Sequence, residues 1–262
     1  PVICSECGAA LTEQTSSVID GEIYCPDCLE RLTTTCDCCG RRILRCDAES
    51  DGSIDDGFEL VSHPMTLEYH TNTMNWSGVM DMALSLDYRS HQTQTCGLHI
   101  HVNRKAFGSD YDTQEDSISR IVHFAEMHWN ELLKFSRRTE ANMNRWASRY
   151  GISTTAKDTY KNAKAKHCGR YVAINLENYS TIEFRIFRGT LRYKTFLATL
   201  QLVDEICNLA IKLSDRELEG MSWSDFVIQV DSKNKPELIE YLKARRLYVN
   251  EPVAVSAETE GE

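Results

Sequence analysis

TIEFRIFRGT, residues 181–190, places one carboxylate and two guanidinium groups inside a run that otherwise has the apolar density of a buried strand. Successive side chains of a strand point to opposite faces. Ile182, Phe184 and Ile186 therefore share one side, and Thr181, Glu183, Arg185 and Phe187 the other. CGLHIHVNR (96–104) repeats the pattern, with Leu98, Ile100 and Val102 opposing His99, His101 and Asn103. YVAINLENYS (171–180) reads as a further strand, joined to 181–187 by a tight turn at Asn178–Ser180 as a hairpin. If these strands share one sheet, its apolar side packs on helices and its other side presents His99, His101, Asn103, Glu183 and Arg185.

That second side has an unusual composition for a wet surface, which mixes Thr, Lys, Glu and Ser. His and Glu supply nitrogen and oxygen ligands for a divalent metal. Arg offers planar, bidentate contacts to phosphate or carboxylate. The combination suits metal-assisted phosphoryl transfer, in which a protein chiefly positions groups and neutralises charge. Two plainer readings stand beside it. Glu183 and Arg185 can form a structural ion pair, and the two histidines can be ordinary exposed strand residues. Arg188, just past the strand beside Gly189, tips the balance towards a site. The chain has no G-x-x-x-x-G-K-[ST] loop, G-x-G-x-x-G turn or G-x-S-x-G elbow.

Working outward, residues 66–87 have a helical pattern around Met74, Val79, Met82 and Leu86, and FELVS (58–62) reads as a short strand. A long helix is expected over about 113–137, with Asp112 and Glu115 as its capping box. Ile118, Ile121, Val122, Ala125, Trp129 and Leu132 fall on its core stripe. His123 and His128 lie beside the stripe, as surface or satisfied core residues. A second helix spans 195–213, with Phe196, Leu200, Val203, Cys207 and Ala210 inward, and a third starts near Pro236. YGISTTAKD (150–158) reads as a loop, and the acidic tail 251–262 as disordered.

Composition narrows the classes further. The 262 residues carry a formal charge of -10, which disfavours a general nucleic-acid or membrane-surface binder. Residues 1–60 hold four Lys/Arg against thirteen Asp/Glu, whereas 131–170 hold ten against three. That basic island is either a solvated surface or an attractor for a phosphate-bearing substrate. No apolar run approaches the ~20 residues of a membrane span, and no charged-then-apolar leader opens the chain. A cytoplasmic setting follows as the expectation. Eight of the eleven Cys lie in the first 46 positions, where clustered thiols read as metal ligands. Cys4/Cys7 and Cys25/Cys28 have the pair spacing of a Cys4 zinc site. A second site could draw on Cys36, Cys39 and Cys46, with Cys38 as a further thiol. The expected organisation is a zinc module at 1–46, a main domain at 47–250 and the tail.

GFELVSHPMT (57–66), TCGLHIHVNR (95–104) and TIEFRIFRGTL (181–191), in that order, resemble the amidoligases of phage and bacterial genomes. These are similar to carboxylate–amine ligases of the glutamine synthetase-like superfamily. The resemblance implies an α+β fold whose antiparallel sheet, with helices packed on one face, holds ATP and Mg2+ on the other. It implies activation of a carboxylate as an acyl phosphate, which an amine attacks to form an amide. It also implies residue roles. Glu59, Glu183 and His99 would ligate metal; His99, Asn103, Asn175 and Arg188 would hold nucleotide. Arg185, Arg188, Arg170 and His101 would serve catalysis. The acid and amine could be amino acids, peptides or protein side chains. One departure is plain: between Cys39 and Asp51 there is no room for the superfamily's early Gly-x-Glu-x-Glu strand. An alternative follows, in which a ligase-like scaffold without catalysis uses its zinc module and basic region to hold a protein or nucleic-acid partner.

Overall fold

The computed structural model describes residues 2–5, 7–12, 15–19, 22–35, 42–44, 59–90, 96–166 and 169–248. The turn at 51–57, the tail 251–262, and Cys36, Cys38, Cys39, Cys46 and Cys168 lie outside the described residues. The chain divides into two compact units, Pro1–Thr66 and Leu67–Glu262.

The first unit is built from short hairpins. β1 (Val2–Ile3) pairs with β2 (Ala10–Leu11), and β3 (Ser17–Ile19) with β4 (Glu22–Tyr24). Helix α1 (Pro26–Leu32) follows, and β5 (Thr33–Thr35) then pairs with β6 (Arg42–Leu44). Its small core gathers Cys4, Leu11, Tyr24, Cys25, Cys28 and Leu29. The strand expected at 58–62 is not formed over residues 60–62; Glu59 makes an isolated bridge, and residue 58 lies outside the described set. Leu60 and Val61 are exposed, so no buried apolar face holds that segment extended.

The second unit is an α+β body. Helices α2 (Leu67–Asn72) and α3 (Trp76–Ser85) replace the single pattern expected at 66–87, because Asn75 breaks it and caps α3 by accepting a hydrogen bond from Gly78 N. Strand β7 (Gly97–Asn103) leads through a 3-10 turn, Arg104–Phe107, to α4 (Tyr111–Met127) and α5 (Trp129–Ser136). Then come α6 (Glu140–Trp146), α7 (Ala156–Ala165), β8 (Ile174–Asn175), β9 (Thr181–Arg188), α8 (Tyr193–Lys212), α9 (Asp215–Glu219), α10 (Trp223–Gln229) and α11 (Pro236–Ala244). The sheet order is β7-β9-β8, antiparallel throughout. The hairpin expected at 171–187 is therefore present, with its first strand reduced to two residues.

The six stripe residues from Ile118 to Leu132 are all buried, as the helical spacing requires. The helix itself is interrupted at His128, and Asp110, not Asp112, caps its start by accepting from Thr113 N. Glu115 does not close a capping box; it accepts from Tyr160 Oη and Lys164 Nζ. Phe196, Val203, Cys207 and Ala210 of α8 and Leu238 and Leu242 of α11 complete the buried set. One expectation about the sheet fails. Leu98 pairs with Phe187 and Ile100 with Phe184, so Arg185 and Ile186 together oppose His99. This bulge reverses the alternation beyond it. Phe187 consequently joins the core, its ring 6.0 Å from that of Phe135, and leaves the charged face.

Candidate functional site

The register aligns His101 with Glu183 on β9, and Asn175 with Glu183 from the other side. Glu183 is thus the middle residue of a three-strand row. It is 4% exposed. Its Oε1 forms a direct ion pair with Arg185 Nη1 and lies 3.4 Å from His99 Nδ1 and 3.7 Å from His101 Nε2. Its Oε2 accepts from Asn175 Nδ2 at 2.8 Å and from Asn178 Nδ2 at 3.4 Å. Burial alone would raise this carboxyl. The Asn175 hydrogen bond, then the Arg185 charge and the electrostatic influence of the two neighbouring imidazoles, outweigh it and hold Glu183 below the usual range.

His99 goes the other way. Burial first, then the Arg185 charge, hold it down to about 4 against the opposing pull of Glu183. At neutral pH it is an uncharged imidazole. His101 is exposed, and its Nδ1 lies 3.1 Å from Thr181 Oγ1. Arg185 is anchored on two sides, by Glu183 and by the Tyr171 ring, whose centroid is 5.8 Å from its Cζ. Its Nε is nevertheless buried with no hydrogen-bond partner among the described residues. A buried donor left unpaired costs free energy, so an incoming oxyanion would be stabilised there.

The other expected site residues are spread around this row. Arg170 is exposed; it too meets the Tyr171 ring, with Cζ 5.1 Å from the centroid, and donates to Tyr171 Oη. Arg188, at the end of β9, opposes Gly97 and lines a cleft beside α5. Asn103 is taken up locally, its side chain accepting from Lys105 N to cap the 3-10 turn. Glu59 belongs to the first unit, where it is half-buried.

Two neighbours escaped the sequence reading. Arg138, which follows α5, donates from Nε and Nη2 to Phe187 O at 3.2 and 2.9 Å. Burial, then repulsion from Arg185 and Arg188, lowers it to about 10. Gly97 makes room for it: a Cβ there would meet Arg138 Nη2 and His99 Nε2 at 2.8 Å each. The available signal is the double Arg137–Arg138 inside the basic island, which neighbouring residues alone do not connect to the strands. Tyr171 is the second, and nothing about a lone Tyr between two arginines in sequence announced it.

The first unit holds a different kind of site. The Sγ atoms of Cys4, Cys7, Cys25 and Cys28 all lie within 4.8 Å of one another. Cys7 and Cys25 Sγ are 3.8 Å apart, which is the edge expected, about 3.8 Å, for a tetrahedron with Zn–S bonds of ~2.3 Å. Gly8 takes φ 73 to close the turn between Ala9 and Cys4, and Cys25 N donates to Cys4 Sγ at 3.3 Å. Turns that aim backbone N–H groups at thiolate sulfur stabilise the ionised ligand. Four such sulfurs can hold one metal ion, and the set is consistent with zinc.

Fold and site together define an α+β protein with a thiolate metal site and a separate, arginine-rich row built on an antiparallel sheet. The model of the family described as "putative amidoligase enzyme" matches residues 18–207, and the chain belongs to that family. The membership carries a ligase-like function with carboxylate and amine substrates. No curated protein and no solved structure matches the chain. Among the described residues, no helix is long and apolar enough to cross a membrane.

Proposed function

We propose that the chain is an ATP-dependent carboxylate–amine ligase working through an acyl phosphate. A carboxylate oxygen of the acid attacks the γ-phosphorus and ADP leaves. The amine nitrogen then attacks the acyl carbon, phosphate leaves, and the nitrogen gives up a proton as the amide forms. The observation that carries this reading is the convergence of Glu183, Arg185, His99 and His101 on one sheet face in a member of an amidoligase family.

The roles follow from the chemistry of each group. Arg185, with its unpaired buried Nε, stabilises the charge that builds on phosphoryl and acyl oxygens. Arg188, at the end of β9, and Arg170, against Tyr171, supply further positive charge. Glu183 orients Arg185 and, with Asn175, keeps it from relaxing towards solvent. His101, exposed and oriented by Thr181, takes the amine proton. His99 stays neutral, so it neither repels a cation nor adds to the arginine charge.

ATP fits this arrangement better than Mg2+ does. A magnesium ion keeps several waters and is held by one or two carboxylates together with substrate phosphates. The described residues of this row supply one carboxylate, Glu183, which is already paired with Arg185. Mg2+ at Glu183 would have to displace that guanidinium, so the donor set fits it poorly. The same observation favours the second reading, a ligase-like protein that binds nucleotide without turnover.

The test is ADP release from purified protein with ATP, magnesium and pools of amino acids or peptides. The ligase reading expects turnover that Arg185→Gln reduces by roughly a hundredfold or more, the scale of one lost transition-state donor. A nucleotide that raises the melting temperature while no pool gives ADP supports the non-catalytic reading instead.

A further inference from the structure

Beside the row lies a cleft of about 470 Å3 between α5, the end of β9 and α11, lined by Lys134, Arg137, Arg138, Arg188 and Arg245. Among the described residues its lining contains no carboxylate. That is unexpected in a chain with a net charge of -10, where acidic partners are abundant. The cations are nonetheless held in place by uncharged groups. Arg138 is fixed on Phe187 O, Arg245 donates from Nε and Nη2 to Lys134 O, and Lys134 Nζ donates to Arg246 O. Backbone carbonyls orient these heads without cancelling their charge. Arg137 sits at the end of α5 with φ 61, a left-handed conformation that a residue with a Cβ rarely adopts. Burial, then repulsion from Arg188, Arg245 and Arg192, opposes its charge, with only Tyr241 acting the other way. Like charges gathered without counter-charges are a standing cost to the folded state, and a bound anion removes it.

We propose that this cleft binds a ligand carrying at least two oxyanion groups, carboxylate or phosphate, and that it seats the anionic tail of a ligase substrate whose reacting end lies at Arg185. The second half of that statement rests on the ligase reading; the first stands without it. Arginine forks match both oxyanions bidentately. Arg138 and Arg188 connect cleft and row, since both repel or border the groups around Arg185 and His99. The tail has two chemical sources, a polycarboxylate acid or the phosphate chain of the nucleotide.

Calorimetry on the full chain at low salt, with triglutamate, tripolyphosphate and acetate as separate probes, tests the cleft. Binding of one polyanion well above acetate is expected, weakening with added salt. Arg137→Asn, chosen because Asn tolerates the left-handed backbone, and Lys134→Gln on the exposed rim should each weaken it, by roughly tenfold for the arginine. Preference for triglutamate assigns the cleft to the acid substrate; preference for tripolyphosphate assigns it to the nucleotide. Equal binding of the polyanions and acetate, or unchanged affinity in both variants, overturns the proposal. Polyanion binding without ADP release from any pool would end the ligase reading and leave the cleft standing.

Discussion

Glu183 is the residue on which the site's electrostatics turn, because one buried carboxylate balances Arg185 and faces two imidazoles. Removing one member of a buried pair leaves the other charge uncompensated. Glu183→Gln should cost about 3 kcal/mol in urea denaturation, and Arg185→Leu with Glu183→Gln should recover part of that loss. A single-variant cost near zero would show that the pair is solvated. His128 tests a different buried group. Its Nε2 lies 3.1 Å from Met221 O, and it packs on Phe124 and Trp223. Burial lowers its folded pKa below 6.5, so the unfolded chain takes up a proton first as pH falls. The stabilisation is therefore full above about pH 6.5 and is lost below it. His128→Asn should be less stable than wild type at pH 7, by about 1–3 kcal/mol, yet lose less between pH 7 and pH 5. His123, buried against Thr159 Oγ1, has the same sign and remains in both proteins. Identical pH slopes for the two would remove His128 from the account. At this scale Glu183, Arg185, His99 and His101 were legible because alternation along a strand is a property of adjacent residues. Arg138 and Tyr171 were not, because they arrive from other elements.

At the scale of elements, local signals named the helices better than their ends. The apolar stripe of α4 and α5 was visible, but the stripe continues through His128, where the backbone leaves the helix. A stripe records which side is buried and is silent about a change of axis. The cap differs for a related reason. The cap expected at Asp112 falls instead on Asp110, whose carboxylate accepts from Thr113 N and Oγ1. Asp110→Ala should lower the melting temperature more than Asp112→Ala does; the reverse order would place the helix start two residues later. The short helices α6, α9 and α10 went unread because five to seven residues carry too little periodicity to separate them from loop. The bulge at Arg185–Ile186 is the most consequential local event. It keeps Arg185 on the charged row while turning Phe187 into the core, a combination that strict alternation forbids.

For the whole molecule, the two units draw their stability from different sources. Leu67–Glu262 has an extensive apolar core, whereas among the described residues of Pro1–Thr66 six form the buried core, half of them cysteines. A core that small is marginal without a cross-link or metal. A chelator strong enough to strip the Cys4–Cys7–Cys25–Cys28 site should abolish amide protection around β4 and α1 while α4 and α8 keep theirs, as read by hydrogen exchange. Unchanged protection near Cys25 would mean that the four thiols hold no structural ion. The thiol quartet, the two charged strands and the main helices were determined by the sequence by itself, since ligand spacing and hydrophobic period are written in neighbouring residues. Only the tertiary structure decided that Arg138 would close on Phe187 O, that Tyr171 would lie between Arg170 and Arg185, and that α5, β9 and α11 would bring five cations to one cleft. Those meetings join residues up to 111 positions apart, as with Arg245 on Lys134 O. Packing and strand register set them, and neither is encoded in any local stretch of the chain.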